Sequence, residues 1–202
     1  MRCLQPEAIA REGPPMETAI LTGMGLAAPA GLNAYIPLLA LALADRATTR
    51  VTLHAPYDIL SSNLGIAILV ILLTVELTVD KIPGVDHAND LIQSFVRPAA
   101  GAIAAVAATG GVVAINPAVM VLVGVLLAGS VNAVKVTTRP AVTVGTAGIL
   151  NPVVSLGEDA VAVIASLVAI FLPFLVILFL ALFAVSSILL LRRVRHVRSD
   201  SS

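Results

Sequence analysis

Long apolar stretches separated by short polar ones dominate the chain. The stretch 160–191 holds 32 residues without a charge, and the stretch 117–134 holds 18. About 18 or more such residues can cross a hydrocarbon core about 30 Å thick as a helix. A transmembrane β-strand would instead alternate in hydrophobicity over about 10 residues. The pattern therefore predicts an all-α fold, a polytopic transmembrane helical bundle.

We predict about six membrane segments (five to six). In chain order they cover residues 18–44, 60–79, 98–115, 117–135, 151–172 and 174–191. The first is interrupted by Pro29, Gly31 and Pro37, which makes it a Pro/Gly-broken helix.

These segments form one predicted transmembrane domain, residues 16–191. The polar stretch 1–15 before it is either a disordered tail or the product of a start assigned ahead of Met16. A basic tail, 192–202, follows it.

The fifth segment has two interpretations. In one, residues 140–157 span, and 160–191 form a last segment of about 48 Å, too long without strong tilt or a kink at Pro173. In the other, 140–150 are interfacial or re-entrant and 151–172 span. A faint internal repeat slightly favours the second.

The spacing of apolar and polar positions in residues 86–96 predicts one interfacial amphipathic helix. Its apolar face carries Ala88, Leu91, Ile92, Phe95 and Val96, and its polar face Asp86, Asn89, Asp90 and Gln93.

Basic residues predict the orientation, because Lys and Arg concentrate in short cytoplasmic loops. With six crossings and both termini in the cytoplasm, ten of the 12 basic residues lie inside and only Arg46 and Arg50 outside. We therefore expect an integral protein of the bacterial cytoplasmic (inner) membrane.

The composition and the motifs mainly argue against some classes of function. Only 12% of residues are charged, about half the usual share, and the scattered bases give no reason to expect nucleic acid. The three histidines are too dispersed for a metal site, no cofactor motif is present, and no catalytic motif supports an enzyme. The expected partners are the lipid bilayer and a small-molecule or ion substrate, and a homo-oligomer is compatible with the short chain.

Charges inside apolar segments are the candidates for chemistry, since each costs roughly 2.5–3.5 kcal/mol there. Glu76 lies about one turn before the end of its segment, and Asp80 follows at i+4, where like charges repel. A bound cation, protonation, or a basic partner among Arg97, Lys135 and Arg139 would offset them. The plainer alternative is that Glu76 reaches the interface beside Asp80 and Lys81.

A second group lies near the Asn151-Pro152 break. If a segment begins at Asn151, Glu158 and Asp159 lie about two turns into the membrane; otherwise they belong to a loop. Asn33 sits at the break in the first segment. Such breaks are tolerated at membrane depth where protein or water satisfies the backbone, as at transporter sites, although Pro and Gly are also common in membrane helices.

Three motifs resemble one known family. They are Glu76-Leu-Thr-Val-Asp80-Lys81-Ile-Pro83-Gly84-Val-Asp86 with Arg97-Pro98-Ala-Ala-Gly101, then Gly31-Leu-Asn33-Ala-Tyr35-Ile-Pro37, and Asn151-Pro152-Val-Val-Ser155-Leu-Gly-Glu158-Asp159. In combination they resemble the bacterial membrane family named domain of unknown function 4126. The resemblance implies a small multi-pass inner-membrane protein and supplies no substrate or reaction.

Two functions remain open. One is a small transporter or channel-like protein for a small solute or ion, with a polar core of Asn33, Glu76, Asp80, Lys81, Arg97, Lys135, Arg139, Asn151, Glu158 and Asp159. The other is a membrane scaffold or envelope-assembly factor that does not transport, in which the same charges fix helix register. A water-accessible cavity at these charges would favour the first, and a solid, fully paired core the second.

Overall fold

The protein is all-helical throughout the part of the chain that the structure describes. This structure is a computed structural model, and it describes residues 14–79, 86–110, 112, 114–146, 149–182 and 184–186. Its helices are α1 (Met16–Ala30), α2 (Tyr35–Ala47), a 3-10 turn (Tyr57–Ser61), α3 (Asn63–Val79), α4 (Asp86–Thr109), α5 (Pro117–Thr146), α6 (Asn151–Phe171) and α7 (Leu175–Ser186). Residues 1–13 and the predicted basic tail lie outside the described residues.

Two helices, α5 and α6, are long and apolar enough to cross a membrane. At 1.5 Å per residue they are about 45 and 32 Å long. The helices α3 and α7 are apolar but shorter.

On α3 and α4, large apolar side chains are exposed while two charged side chains are buried. In α3 only Leu69 and Glu76 are buried, and Ile71 is 62% exposed. In α4, Phe95 is 78% exposed while Arg97 has no exposed surface. Water-soluble proteins rarely bury a charged side chain so fully unless it is paired, whereas a bundle in lipid generally turns its charged residues inward.

The helices α1 and α2 form a hairpin. A Cβ built on Gly25 of α1 would lie 2.7 Å from the Cβ of Ala169 in α6, and the end of α2 shares a cavity with Phe171. Asn33, between the two helices, reaches Asp159, two to three turns earlier in α6. Both free ends of the pair therefore lie near the C-terminal end of α6.

This hairpin corrects the predicted first segment, which was one interrupted crossing over residues 18–44. The break itself is confirmed, because the chain is not helical at 31–34. Pro29 lies in the last turn of α1. Pro37 does not break a helix, since it lies in the first turn of α2, where its missing N–H is not needed.

The remaining helices run antiparallel to their neighbours in chain order. Arg46 donates to Asn63 Oδ1 at 2.7 Å, so α3 begins where α2 ends. Arg97 lies beside Asn132 and Thr143 beside Asn151. We call end I the end that holds the start of α1, the end of α2 and the start of α5, and end II the end where α5 ends and α6 begins.

Two predicted boundaries are wrong. The stretches 86–96 and 98–115 are not separate elements, because α4 runs from Asp86 to Thr109 through Pro98. The fourth segment does not end near Lys135, because α5 continues through Pro140 to Thr146. Each proline sits inside a longer helix.

The two interpretations of the fifth segment are now separated. The helix α6 starts at Asn151 and ends at Phe171, which matches the fifth segment of the second interpretation. A turn at 172–174 then separates it from α7. The first interpretation, with 140–157 as one span, is wrong, and up to Thr146 the supposed interfacial stretch is the end of α5.

Small residues bring α4 and α5 together. A Cβ on Gly124 would lie 2.5 Å from the carbonyl oxygen of Gly101, whereas a Cβ on Gly129 would meet only Pro98 Cγ, at 4.0 Å. Ala128, one turn beyond Gly124, is fully buried. The spacing Gly124-Ala128 thus serves close packing.

We predict that Gly124→Ala destabilises the fold and that Gly129→Ala does not. The first change forces two helix backbones apart, at about 1–3 kcal/mol for overpacking. The second adds only the helical preference of Ala, a gain of about 0.5–1 kcal/mol. Thermal unfolding of both variants in one detergent measures the difference. Equal unfolding temperatures would contradict the close packing.

Candidate functional site

The most deeply buried ion pair among the described residues joins α3 to α4. Arg97 Nη2 lies 3.3 Å from Glu76 Oε1, and both side chains are almost without exposed surface, at 0% and 1%. Arg97 Nη1 donates to Asn132 Oδ1 of α5 at 2.9 Å. One guanidinium therefore connects three helices, and its planar fork of donors suits two acceptors in different directions.

Polar residues at helical spacing form a stripe along one face of α5. The stripe consists of Asn132, Lys135, Arg139 and Thr143, and intervals of three and four residues place these side chains on one face. Asn132 and Lys135 are buried, and Arg139 and Thr143 are half-buried. The stripe thus becomes more exposed towards end II.

Lys135 connects this stripe to the hairpin and to α6. Its Nζ donates to the carbonyl oxygen of Leu32 at 2.9 Å and lies 2.8 Å from Glu158 Oε2. Arg139 Nη2 lies 2.9 Å from the same oxygen. Because Leu32 follows the C-terminus of α1, the ammonium also offsets the negative end of that helix dipole.

Asn33 forms hydrogen bonds with both its amide oxygen and its amide nitrogen at the tip of the hairpin. Its Oδ1 accepts from the backbone N–H groups of Tyr35 and Ile36, at 3.1 and 3.2 Å, and so satisfies the first N–H groups of α2. Its Nδ2 donates to Asp159 Oδ1 at 2.9 Å. A non-helical tip is tolerated in the interior because these side chains satisfy it.

The structure brings together eight of the ten predicted site residues. Glu76 and Arg97 form one group; Asn33, Lys135, Arg139, Glu158 and Asp159 form the group at the tip; and Asn151 Oδ1 accepts from Thr143 at the end of the stripe, at 3.1 Å. Asp80 and Lys81 lie outside the described residues.

Sequence reasoning missed three polar participants. Asn132 lies inside the apolar stretch 117–134, and its position three residues before Lys135 was the available signal. Tyr35 and Gln93 contact each other through their side chains, and Gln93 is 4% exposed. Gln93 was assigned to the polar face of an interfacial helix, because the sequence cannot show that its side chain turns inward.

The described network is electrically balanced, with three cations and three carboxylates. We call Glu76, Arg97, Asn132, Lys135, Arg139, Glu158, Asp159 and Asn33 the tip network. Breaking a buried pair by removing one partner costs about 3–5 kcal/mol, whereas replacing both with apolar groups is often near neutral.

No group of three or more metal-ligating side chains occurs among the described residues.

We predict strong coupling between Arg97 and Glu76. Arg97→Met alone leaves a buried carboxylate without its guanidinium and should lower stability by about 3–5 kcal/mol. Arg97→Met with Glu76→Met should cost clearly less than the sum of the two single changes. The free energies of unfolding of wild type, the two single variants and the double variant, measured in one detergent, give the coupling energy as a double-mutant cycle. Additive losses would show that the pair is not energetically coupled.

Comparison with known proteins gives the family. Neither the curated proteins nor the solved structures contain a match to this chain. One family model matches residues 20–193, a range that contains all three motifs and the whole tip network. The chain therefore belongs to the family described as domain of unknown function (DUF4126).

Proposed function

We propose that this protein is a multi-pass membrane protein that moves a small solute or ion, as a small transporter or channel-like protein. The observation that carries the proposal is a helical hairpin whose tip ends on a buried, charge-balanced network. Broken helices that meet charges at membrane depth are the usual architecture of transporter binding sites. The proposal involves no enzymatic reaction.

The apolar exterior supports the membrane location. Large apolar side chains are exposed on α3, α5, α6 and α7, and lipid is the solvent in which such a surface is stable. Arg97 lies about 18 Å along α4 from Thr109, and Asn132 about 22 Å along α5 from Pro117. With end I at one interface, Glu76, Arg97, Asn132 and Lys135 lie within a hydrocarbon core about 30 Å thick, and Arg139, about 33 Å along α5 from Pro117, lies at its far side.

The two sides of the hairpin tip differ in polarity, which supports a role as a barrier. Towards end II, the α5 stripe continues from Lys135 to Thr143 with rising exposure. On the other side, a cavity of about 130 Å³ between α1, α5, α6 and α7 is lined by apolar residues that include Leu32, Val131 and Val161. In our proposal the hairpin tip separates the polar α5 stripe, which leads to end II, from the apolar cavity. Movement of the tip would connect the two.

The hairpin changes the proposed topology. Because α1 and α2 both have their outer ends at end I, we propose that the five helices α3–α7 make five traverses, so that the described part of the chain starts at end I and finishes towards end II. The arginines of 192–202 follow α7, which runs towards end II, and on this basis we propose that end II is the cytoplasmic side. We therefore replace the expectation of two cytoplasmic termini with a cytoplasmic C-terminus alone, in a bacterial inner membrane.

A scaffold is the second candidate, and the pairing within the network favours it. The side chains of Glu158 and Arg139 are only 15% and 11% exposed. Three cavities among the described residues are lined by other side chains. A closed, paired core is what a structural role requires, and it is also what an occluded transporter shows between its open states. Ile92 and Phe95, exposed on α4, would then be the docking face.

Proton movement tests the first candidate. The full chain is reconstituted into vesicles loaded with a pH-sensitive dye, and a potassium gradient with valinomycin sets the potential. We expect wild-type flux above that of empty vesicles, at least a tenfold loss in Glu158→Gln, and partial recovery in Glu158→Asp, which keeps the carboxylate beside Lys135. Glu17→Gln, an exposed change at end I, should match wild type.

Two outcomes contradict this proposal. Flux that is equal in wild type and Glu158→Gln would remove the tip network from the path. Absence of proton, sodium and potassium flux, together with specific crosslinks from residue 95 to a membrane partner, would favour the scaffold.

A further inference from the structure

An apolar groove runs along the outside of α2 towards end I. It has a volume of about 330 Å³ and lies between α2, α3 and α6, with Leu39, Leu43, Leu73, Leu167 and Phe171 among its lining residues. It extends from Ile36, near the hairpin tip, to Thr48, about 18 Å along the helix axis. The groove is long, narrow and apolar, and so has the shape of a hydrocarbon chain.

A polar cavity opens directly at the end of this groove. It has a volume of about 460 Å³ and is lined by Arg46, Thr49 and Arg50 together with Ala47, Thr48 and Phe171. The last three residues also line the groove. The two cavities are therefore continuous, with an apolar part at membrane depth and a cationic part at end I.

The two arginines at this mouth are placed differently. Arg46 donates to the carbonyl oxygen of Ser61 and to Asn63, which fixes its guanidinium beside the cavity. Arg50 is exposed, and none of the ion pairs within the described ranges involves it. The nearby Asp45 accepts from the backbone N–H of Leu53 at 2.9 Å, so one of its oxygens is already engaged.

These arginines also stand out in the charge distribution. Among the described bases, Arg97, Lys135 and Arg139 belong to the tip network, and only Arg46 and Arg50 lie at end I. The rule that concentrates bases on the cytoplasmic side gives no reason for a pair at end I. An anionic ligand at the mouth of the groove does.

We propose that this groove binds one anionic phospholipid, with an acyl chain between α2 and α6 and the phosphate against Arg50 and Arg46. The acyl chain alone gives little selectivity, because every membrane lipid has one. Selectivity arises at the headgroup, where each arginine near the membrane surface adds attraction for negative charge. The inference rests on the proposed membrane location and not on transport.

Native mass spectrometry of the detergent-solubilised full chain tests this site. Phosphatidylglycerol and phosphatidylcholine with identical acyl chains are titrated separately. We expect one tightly retained phosphatidylglycerol, held about tenfold more strongly than phosphatidylcholine. Arg50→Gln should weaken its retention about fivefold, as the loss of one arginine implies, and Arg50→Lys should largely preserve it. Ala47→Phe, at an exposed position lining the groove, should abolish retention of the first lipid.

A matched control separates this site from the basic tail. Arg195→Gln removes the same charge from the tail and should leave the first phosphatidylglycerol unchanged. Equal retention of the two lipids by wild type would overturn the proposal. So would retention that survives both Arg50→Gln and Ala47→Phe, or retention that Arg195→Gln abolishes. None of these results depends on whether the protein moves protons.

Discussion

A guanidinium without exposed surface has to be balanced where it lies, and Arg97 imposes that constraint on the whole bundle. An unpaired charge in a low-dielectric interior costs several kcal/mol, so Glu76 and Asn132 must come to it from two other helices. In α3 only Leu69 and Glu76 are buried, and the ion pair is therefore one of the few buried contacts of this helix. In lipid, apolar contact alone gives little preference for one helix arrangement, which leaves polar pairs to specify it.

The same constraint explains the hairpin. A chain that turns back inside the bundle leaves the carbonyl end of α1 and the N–H end of α2 in the interior. Lys135 donates to the first and Asn33 accepts from the second. Glu158 forms an ion pair with Lys135, and Asp159 accepts a hydrogen bond from Asn33. Close packing at Gly101 and Gly124 holds α4 against α5 and keeps Arg97 level with Asn132. The hairpin therefore needs the polar side chains of the tip network to satisfy its backbone, and the network in turn is held in place by the hairpin.

Much of this could be predicted from the sequence, and the failures have physical reasons. Arg97 was among the partners expected for Glu76, and the break near Asn33 was visible in the Pro and Gly residues. The hairpin could not be predicted, because residues 18–44 are equally apolar whether the chain crosses the membrane once or turns back inside it. The continuation of α4 and α5 through Pro98 and Pro140 was missed because a proline in a helix is tolerated when neighbouring helices support it. Whether the site moves a solute depends on motion, which no pattern in the sequence encodes.

A distance between the outer ends of α1 and α2 shows whether these helices form a hairpin on the tip network. Spin labels are placed by Glu17→Cys and Ala47→Cys in a Cys3→Ser background, and the distance between them is measured by pulsed electron resonance in lipid nanodiscs. The fold predicts a distribution centred below about 30 Å, because neighbouring antiparallel helices pack at 8–10 Å between axes and both labels lie at end I. One broken helix crossing the membrane would give about 45 Å, and that result would contradict the account.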